Sequence, residues 1–379
     1  MRAINKDLDS TSGYYFPFEG EKHSATIIAL PYRKDTWQDG GKRAMPIFKR
    51  IVDEIIRFER VVLIIDPSIP YEMVKMFQNP RVTILRLKYD DSWARDNTPI
   101  FLKDNDEHVI GVDFGFNAWG GSYNGLYQNY EADNRLSRNI LLELRIPRYG
   151  KKDFILEGGS IHTDGEGTLL TTEECLLSKG RNPKLTKEEI EQVLKETLNV
   201  KKVIFLPYGI YNDETSGHVD NIACFLKPGT VALASCDDIN DPQYERSKKD
   251  LEVLENETDA LGRKLEIIKM PLPKPQYMSE EESLALSNDG EAINREPNRR
   301  LAASYINFYM SDKFIIMPSF NDDNDEVNKK ILEDFYKGEK EIIQIPTREI
   351  LLGGGNIHCI TKQIPYSEEI EIEPKEVNA

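Results

Sequence analysis

Four segments carry side chains able to do chemistry, three of them joined to glycine: Trp93-Ala94-Arg95-Asp96, Glu157-Gly158-Gly159-Ser160, Gly217-His218-Val219-Asp220 and Gly353-Gly354-Gly355-Asn356-Ile357-His358-Cys359. A thiol and an imidazole in one site suit nucleophilic attack with acid–base help. Each candidate also has an ordinary reading. His218 and Asp220 stand two apart, so on a strand both side chains would meet one ligand, or would simply form a polar strand edge. Glu157, before two glycines, is either a turn carboxylate or a carboxylate held against an imidazole. In the second case it keeps the ring protonated and able to stabilise a thiolate.

Cys359 follows a triple glycine and the apolar run 349–352, read here as a strand that would hold the thiol rigidly where backbone can approach a ligand. The alternative is a small buried core residue. His358 would face away from Cys359 on such a strand and is not assigned as the base. Asp96 lies close behind Trp93, a pairing suited to a cation, although Trp93 also reads as core and Arg95 as the partner of a nearby carboxylate.

One thiol, one imidazole and three carboxylates, with no metal-ligand spacing, narrow the substrate. Attack on a neutral amide calls for oxyanion donors and one orienting acid, whereas three carboxylates call for a cation. A guanidinium is planar, always charged and matched to bidentate carboxylates. Two carboxylates would align it and the thiolate would attack its carbon.

These segments lie far apart in the chain, so the fold must bring distant ends together. Residues 44–58 place Ile47, Ile51 and Ile55 four apart, with Phe48, Val52 and Ile56 beside them, which predicts one apolar helical face. Residues 61–65 then read as a buried strand. The order recurs as helix 69–77 before strand 82–85, and as helix 187–198, opened by a Thr186/Glu189 capping box, before strand 203–206. It recurs again as helix 245–261 before strand 265–268 and helix 325–337 before strand 342–345. Helix starts near 44, 131, 186, 245 and 324 are unevenly spaced, so the repeat lies in element order: about five ββαβ-like units, with the motif segments between them reading as strand pairs. A radial arrangement of such units would gather the motifs. Asp66-Pro67-Ser68 follows the first strand of this order, where a dinucleotide fold needs a glycine-rich turn. Residues 271–299 read as a long surface loop and no linker stands out, so residues 1–379 are expected to form one domain.

Composition bounds the rest. The 379 residues are 39% hydrophobic and 30% charged, which fits a globular α/β chain and excludes disordered and fibrous classes. Forty-nine basic against 65 acidic residues give a net charge of −16, which argues against nucleic acid as a partner. No stretch approaches the ~18 apolar residues of a membrane span, and the N-terminus lacks an apolar export core. Four cysteines without close pairs read as reduced thiols of a cytoplasmic protein.

The runs EGGSIHTDGEGTLLTTEECLL (157–177), GHVDNIACFLKPGTVALA (217–234), RLAASYINFY (300–309) and EILLGGGNIHCIT (349–361) resemble the agmatine deiminase family of the guanidine-modifying enzymes, over roughly residues 13–365. The resemblance implies a five-bladed α/β propeller with pseudo-fivefold symmetry and the hydrolysis of agmatine to N-carbamoylputrescine and ammonia, without cofactor or metal. Carried over by motif, Cys359 is the nucleophile, His218 the acid/base and Glu157 its orienter, while Asp96 and Asp220 clamp the guanidinium. Trp93 and Trp119 complete the expected substrate-binding set. A homo-oligomer, dimer or higher, is expected.

The chain departs from the family pattern at Asn97-Thr98-Pro99, where glycine usually precedes the proline, at Ser216, where Asn is expected, and at Leu30, where Trp is more usual. Thr takes a positive φ only at a cost, which predicts an altered path just after Asp96. These changes bear on the substrate tail, so a deiminase or amidinotransferase for arginine, methylarginine or another guanidine is the nearest alternative. Remoter ones are a non-catalytic polyamine-binding protein, which would need no thiol, and a cysteine peptidase, which would have no use for the carboxylate cage.

Overall fold

The computed structural model describes residues 7–287 and 290–373. They form a mixed α/β structure with five separate sheets. In sequence order the later four join Ile100–Lys103, Val109–Gly115 and Arg148–Ile155; Ile161–Thr163, Thr168–Thr172 and Lys202–Leu206; Ala223–Lys227, Thr230–Ser235 and Glu266–Pro271; and Tyr309–Met310, Phe314–Ser319 and Glu341–Pro346. Each has an antiparallel first pair and a parallel third strand. A helix precedes the third strand in every case: Glu131–Leu144, Lys187–Leu198, Gln243–Asn256 and Asn324–Tyr336. This is the ββαβ order expected from the sequence.

The first sheet closes the chain on itself. His23–Ala29 pairs parallel with Arg60–Ile65, itself parallel to Val82–Arg86, and takes its antiparallel neighbour from the far end of the chain, Thr361–Pro365. Helix Met45–Ile55 buries Met45, Phe48, Ile51, Val52 and Ile55 against this sheet, with Ile47 and Ile56 of the expected face only partly covered. Helix Lys187–Leu198 has both halves of its capping box: Glu189 N–H donates to Thr186 Oγ1 at 3.3 Å and Thr186 N–H to Glu189 Oε2 at 2.8 Å. Such a cap contributes about 1 kcal/mol by satisfying two donors that the helix leaves free.

Several expected elements differ. The helix begun near 245 ends at Asn256, where the chain turns into residues 257–265 before the next strand. Residues 271–299 contain a short helix, Glu280–Leu284, and bury Met278 and Arg295, so the segment is not merely a surface loop. Residues 349–352 lie in the helix Arg348–Leu352, because a short run of Ile and Leu fits one buried helical turn as well as a strand. Residues 217–220 are no strand either: Val219–Asn221 is a 3₁₀ turn with His218 before it. Among the described residues no helix is long and apolar enough to cross a membrane.

The connections matter most for function. Each runs from the last strand of one sheet to the first strand of the next, and each carries one piece of the site: Asp96, Glu157, His218 with Asp220, Asn307, and Cys359.

Candidate active site

The structure brings Cys359, His218, Glu157, Asp96 and Asp220 together, all between 0% and 5% exposed. Cys359 Sγ lies 3.5 Å from Asp220 Oδ2, and Asn307 Nδ2 donates to the sulfur at 3.1 Å. Asn307 Oδ1 also accepts the Cys359 backbone N–H at 3.3 Å, so one amide fixes both ends of the residue. Gly355 leaves the room that this requires, since a Cβ there would stand 2.6 Å from Trp93 Cζ3 and 3.0 Å from the sulfur.

His218 sits among carboxylates. Its Nδ1 is 3.8 Å from Asp96 Oδ2 and its Nε2 3.8 Å from Glu157 Oε2, while its backbone N–H donates to Asp213 Oδ2 at 3.0 Å. His218 and Asp220 therefore share the site through the 3₁₀ turn between them, not through the alternation of a strand. Asp96 accepts from Trp119 Nε1 at 2.8 Å on one oxygen and from the Gly159 N–H at 2.8 Å on the other. Burying this carboxylate with two fixed donors holds its plane and direction.

The space in the middle is marked by Gly159. A Cβ on that residue would lie 2.6 Å from His218 Nδ1, 2.8 Å from Asp96 Oδ1 and 2.9 Å from Asp220 Oδ2. The unoccupied direction of this glycine thus points at a place where two carboxylates and the imidazole converge. Asp220 Oδ1 and His218 Nε2 are buried without a hydrogen-bond partner. Buried carboxylate oxygens of this kind carry a desolvation cost that a cationic ligand would relieve.

Charge follows from the packing. Burial disfavours the imidazolium of His218, but Asp96, the Cys175 thiol and Glu157 outweigh it and hold the pKa well above the ordinary value. Burial likewise opposes ionisation of Glu157, yet Arg181 and His218 bring its pKa below the usual range. Asp96 goes the other way, raised by burial and by the neighbouring Asp220 and Glu157 carboxylates despite His218. Burial pushes the Cys359 thiol well above its usual pKa, and Asp220 and Asp96 push it further. We predict that the free protein titrates Cys359 above the ordinary thiol range. Thiolate absorbance of wild type minus Cys359→Ser checks this, and a transition below pH 8 would contradict it.

The two expected aromatic residues differ in position. Trp119 anchors Asp96, with Trp119 and Ala118 both in the left-handed region at φ 61° and 53°. Trp93 donates to Asp91 Oδ2 at 3.1 Å, stacks on Trp37 with centroids 5.0 Å apart, and lays its ring edge against the triple-glycine turn. Arg95 pairs with a carboxylate as expected, Glu19 at 2.7 Å. The path after Asp96 needs no positive φ at Thr98, which is extended at φ −109°, so the altered path expected there is not required. Ser216 does take a left-handed φ of 67°.

Four further residues border the site. Asn307 positions Cys359. Arg181 donates Nε to Glu157 Oε2 at 3.1 Å, Nη2 to the Thr215 carbonyl at 2.6 Å and Nη1 to the Trp119 carbonyl, tying together three of the site's walls. Cys175 forms with Glu157 and His218 a buried trio of potential metal donors within 4.8 Å. Two of these donors are already engaged, the carboxylate by Arg181 and the imidazole by its proton. His358, read as facing away, instead donates to Asp220 Oδ2 at 2.9 Å and contacts Glu19.

The chain as a whole is similar to known proteins. A family described as Porphyromonas-type peptidyl-arginine deiminase matches residues 15–365. A Listeria monocytogenes protein is 47% identical over 363 residues, 95% of this chain and 99% of its own. The agmatine deiminase of Pseudomonas aeruginosa is 46% identical over 93% of this chain and 96% of its own. Among solved structures, the agmatine deiminase of Enterococcus faecalis superposes with a TM-score of 0.91 at 36% identity, covering 96% of this chain and 99% of that one.

Proposed function

This chain belongs to the Porphyromonas-type peptidyl-arginine deiminase family, and within it we propose that the protein is an agmatine deiminase, a hydrolase that converts agmatine to N-carbamoylputrescine and ammonia on the way to putrescine. The observation that carries the reading is the space beside Gly159, bordered by Asp96, Asp220 and the imidazole of His218, with the Cys359 thiol 3.5 Å from Asp220.

The chemistry follows from the groups present. Asp96 and Asp220 accept the N–H donors of the guanidinium and hold its plane toward the sulfur. Burial and the two carboxylates hold the thiol protonated, and a cation between those carboxylates offsets them, so binding itself promotes the thiolate, with the thiol proton released to solvent. The thiolate adds to the guanidinium carbon, the C–N bond breaks, and His218 gives its proton to the departing nitrogen, which leaves as ammonia. Carbon is then held by sulfur as an amidino-thioether. His218, now neutral, takes a proton from water; the hydroxide adds to carbon, the C–S bond breaks, and the ureido product leaves with the thiolate restored. Glu157, pinned by Arg181, keeps the ring oriented and favours its protonated form.

The tail of the substrate is addressed by what the arginines do. An amino-acid substrate would offer an α-carboxylate and need a free cation. Arg95 is bound to Glu19, Arg181 to Glu157 and Arg295 to Glu214 at 2.7 Å, so none of these three is free to receive it. This favours agmatine over arginine and methylarginine.

The five repeated sheets and the pairing of residues 361–365 with residues 23–29 support a five-bladed α/β propeller with pseudo-fivefold symmetry, forming one catalytic domain over residues 1–379. A cytoplasmic homo-oligomer without membrane partners is part of the same reading, as is the absence of nucleic-acid partners, which the net charge of −16 supports. Ammonia release should be seen with agmatine and should be at least tenfold lower in kcat/KM with arginine, methylarginine and guanidinobutyrate. Equal rates with arginine would overturn the assignment of the tail, and no release from any guanidine would overturn the reaction.

A further inference from the structure

A second layer of buried charge lies behind the guanidinium clamp. His358 bridges two carboxylates, with Nδ1 2.9 Å from Asp220 Oδ2 and Nε2 3.0 Å from Glu19 Oε2. Both ring nitrogens face acceptors, which a neutral imidazole with one N–H cannot satisfy and an imidazolium can. Glu19 is held in turn by Arg95, and its Oε2 lies 3.5 Å from His162 Nε2. Arg95 also ties the layer to the nucleophile segment, donating Nε to the His358 carbonyl at 3.2 Å and its backbone N–H to the Cys359 carbonyl at 3.0 Å. Glu19, Arg95, His358 and Asp220 are each at most 4% exposed.

The layer ends on one carboxylate. Asp220 Oδ2 meets His358 and the thiol and borders the space beside Gly159, while Oδ1 has no hydrogen-bond partner. Without a cation behind it, a buried Asp beside Asp96, Asp213 and a thiol would be expected to take up a proton. The charged groups facing Asp220 are His358, His218 and Arg95, with Asp96 and Asp213 opposed to them. Those facing His358 are Asp220, Glu19, Arg95 and the ring of His162.

We propose that His358 is a positioning residue for agmatine hydrolysis: as an imidazolium held by Glu19, it fixes Asp220 through Oδ2 and keeps this carboxylate ionised and aimed at the guanidinium. The inference rests on the reading of Asp220 as part of the clamp. Glu19 and Arg95 act one step further back, holding the imidazolium and the turn that carries it.

Two measurements test it. In the kcat/KM profile for agmatine, His358→Gln should move the acid limb to higher pH by about one unit or more, the scale of losing a charged neighbour, with a rise in KM larger than the fall in kcat. Agmatine affinity measured calorimetrically in a Cys359→Ser background should fall at least tenfold with His358→Gln. It should fall no further when His358→Gln is added to Asp220→Asn, because both changes act through the same carboxylate. An unmoved acid limb, or losses that add in the double variant, would overturn the inference. Should His358→Gln not fold, Glu19→Gln is read in the same two ways, with the same outcomes decisive. Wild-type protein that releases no ammonia from agmatine would refute the reaction itself; active wild type with an unshifted variant profile refutes only the role of His358.

Discussion

Cys359→Ser is expected to abolish ammonia release from agmatine, with kcat lower by on the order of 10⁴-fold or more, the scale seen when a covalent nucleophile is removed. The residue is 5% exposed and held at sulfur and backbone by the single amide of Asn307, a geometry that a serine hydroxyl can also satisfy. Folding and agmatine binding should therefore survive. Chemistry should not, because nothing beside the sulfur can ionise an alcohol: its contacts are Asp220 and Asn307, and His218 is itself held protonated. Acid-quenched wild type mixed with agmatine should show a covalent adduct by mass spectrometry, and the variant none. A serine enzyme within tenfold of wild type would remove Cys359 from the role proposed for it.

The second large effect is expected from a residue that bears no functional group. Gly159→Ala should lower kcat/KM for agmatine by on the order of 10²- to 10³-fold, since misplacement of reacting groups by about 1 Å alone costs around 10²-fold. The added carbon would stand 2.6 Å from His218 Nδ1 and 2.8 Å from Asp96 Oδ1, in the space assigned to the guanidinium. It would force either the imidazole or the Asp96 carboxylate aside, and Asp96 is tied to the Gly159 N–H itself. The backbone of Gly159 does not lie in the left-handed region, so strain of that kind is not expected. Overpacking by one methyl costs about 1–3 kcal/mol, so the melting temperature should fall modestly while agmatine binding in the Cys359→Ser background is lost. Retained affinity would show that the ligand occupies another place.

Residue types and glycine spacing pointed to Cys359, His218, Glu157, Asp96 and Asp220, and the structure brings these five into one buried cluster. The local elements were less legible. A run of four apolar and acidic residues at 349–352 has no period long enough to separate helix from strand, and the 3₁₀ turn at 219–221 has no pattern of its own. His218 and Asp220 converge all the same, because a tight turn also brings positions two apart near each other. Asn307, Arg181, Glu19 and Cys175 were not singled out, since their partners come from distant connections and no local spacing reports such a contact. One signal was available for Asn307. Three of the five connections between sheets carry a glycine motif and a fourth the Trp93–Asp96 segment, whereas the fifth, containing the run 300–309, carries neither.

The first sheet draws its outer strand from residues 361–365, directly after the nucleophile turn. A chain that ends before these residues lacks the strand that follows Cys359, so it is expected to leave the thiol without its anchor in the sheet. Activity toward guanidines is therefore expected to arise late in synthesis, once this closing strand can pair.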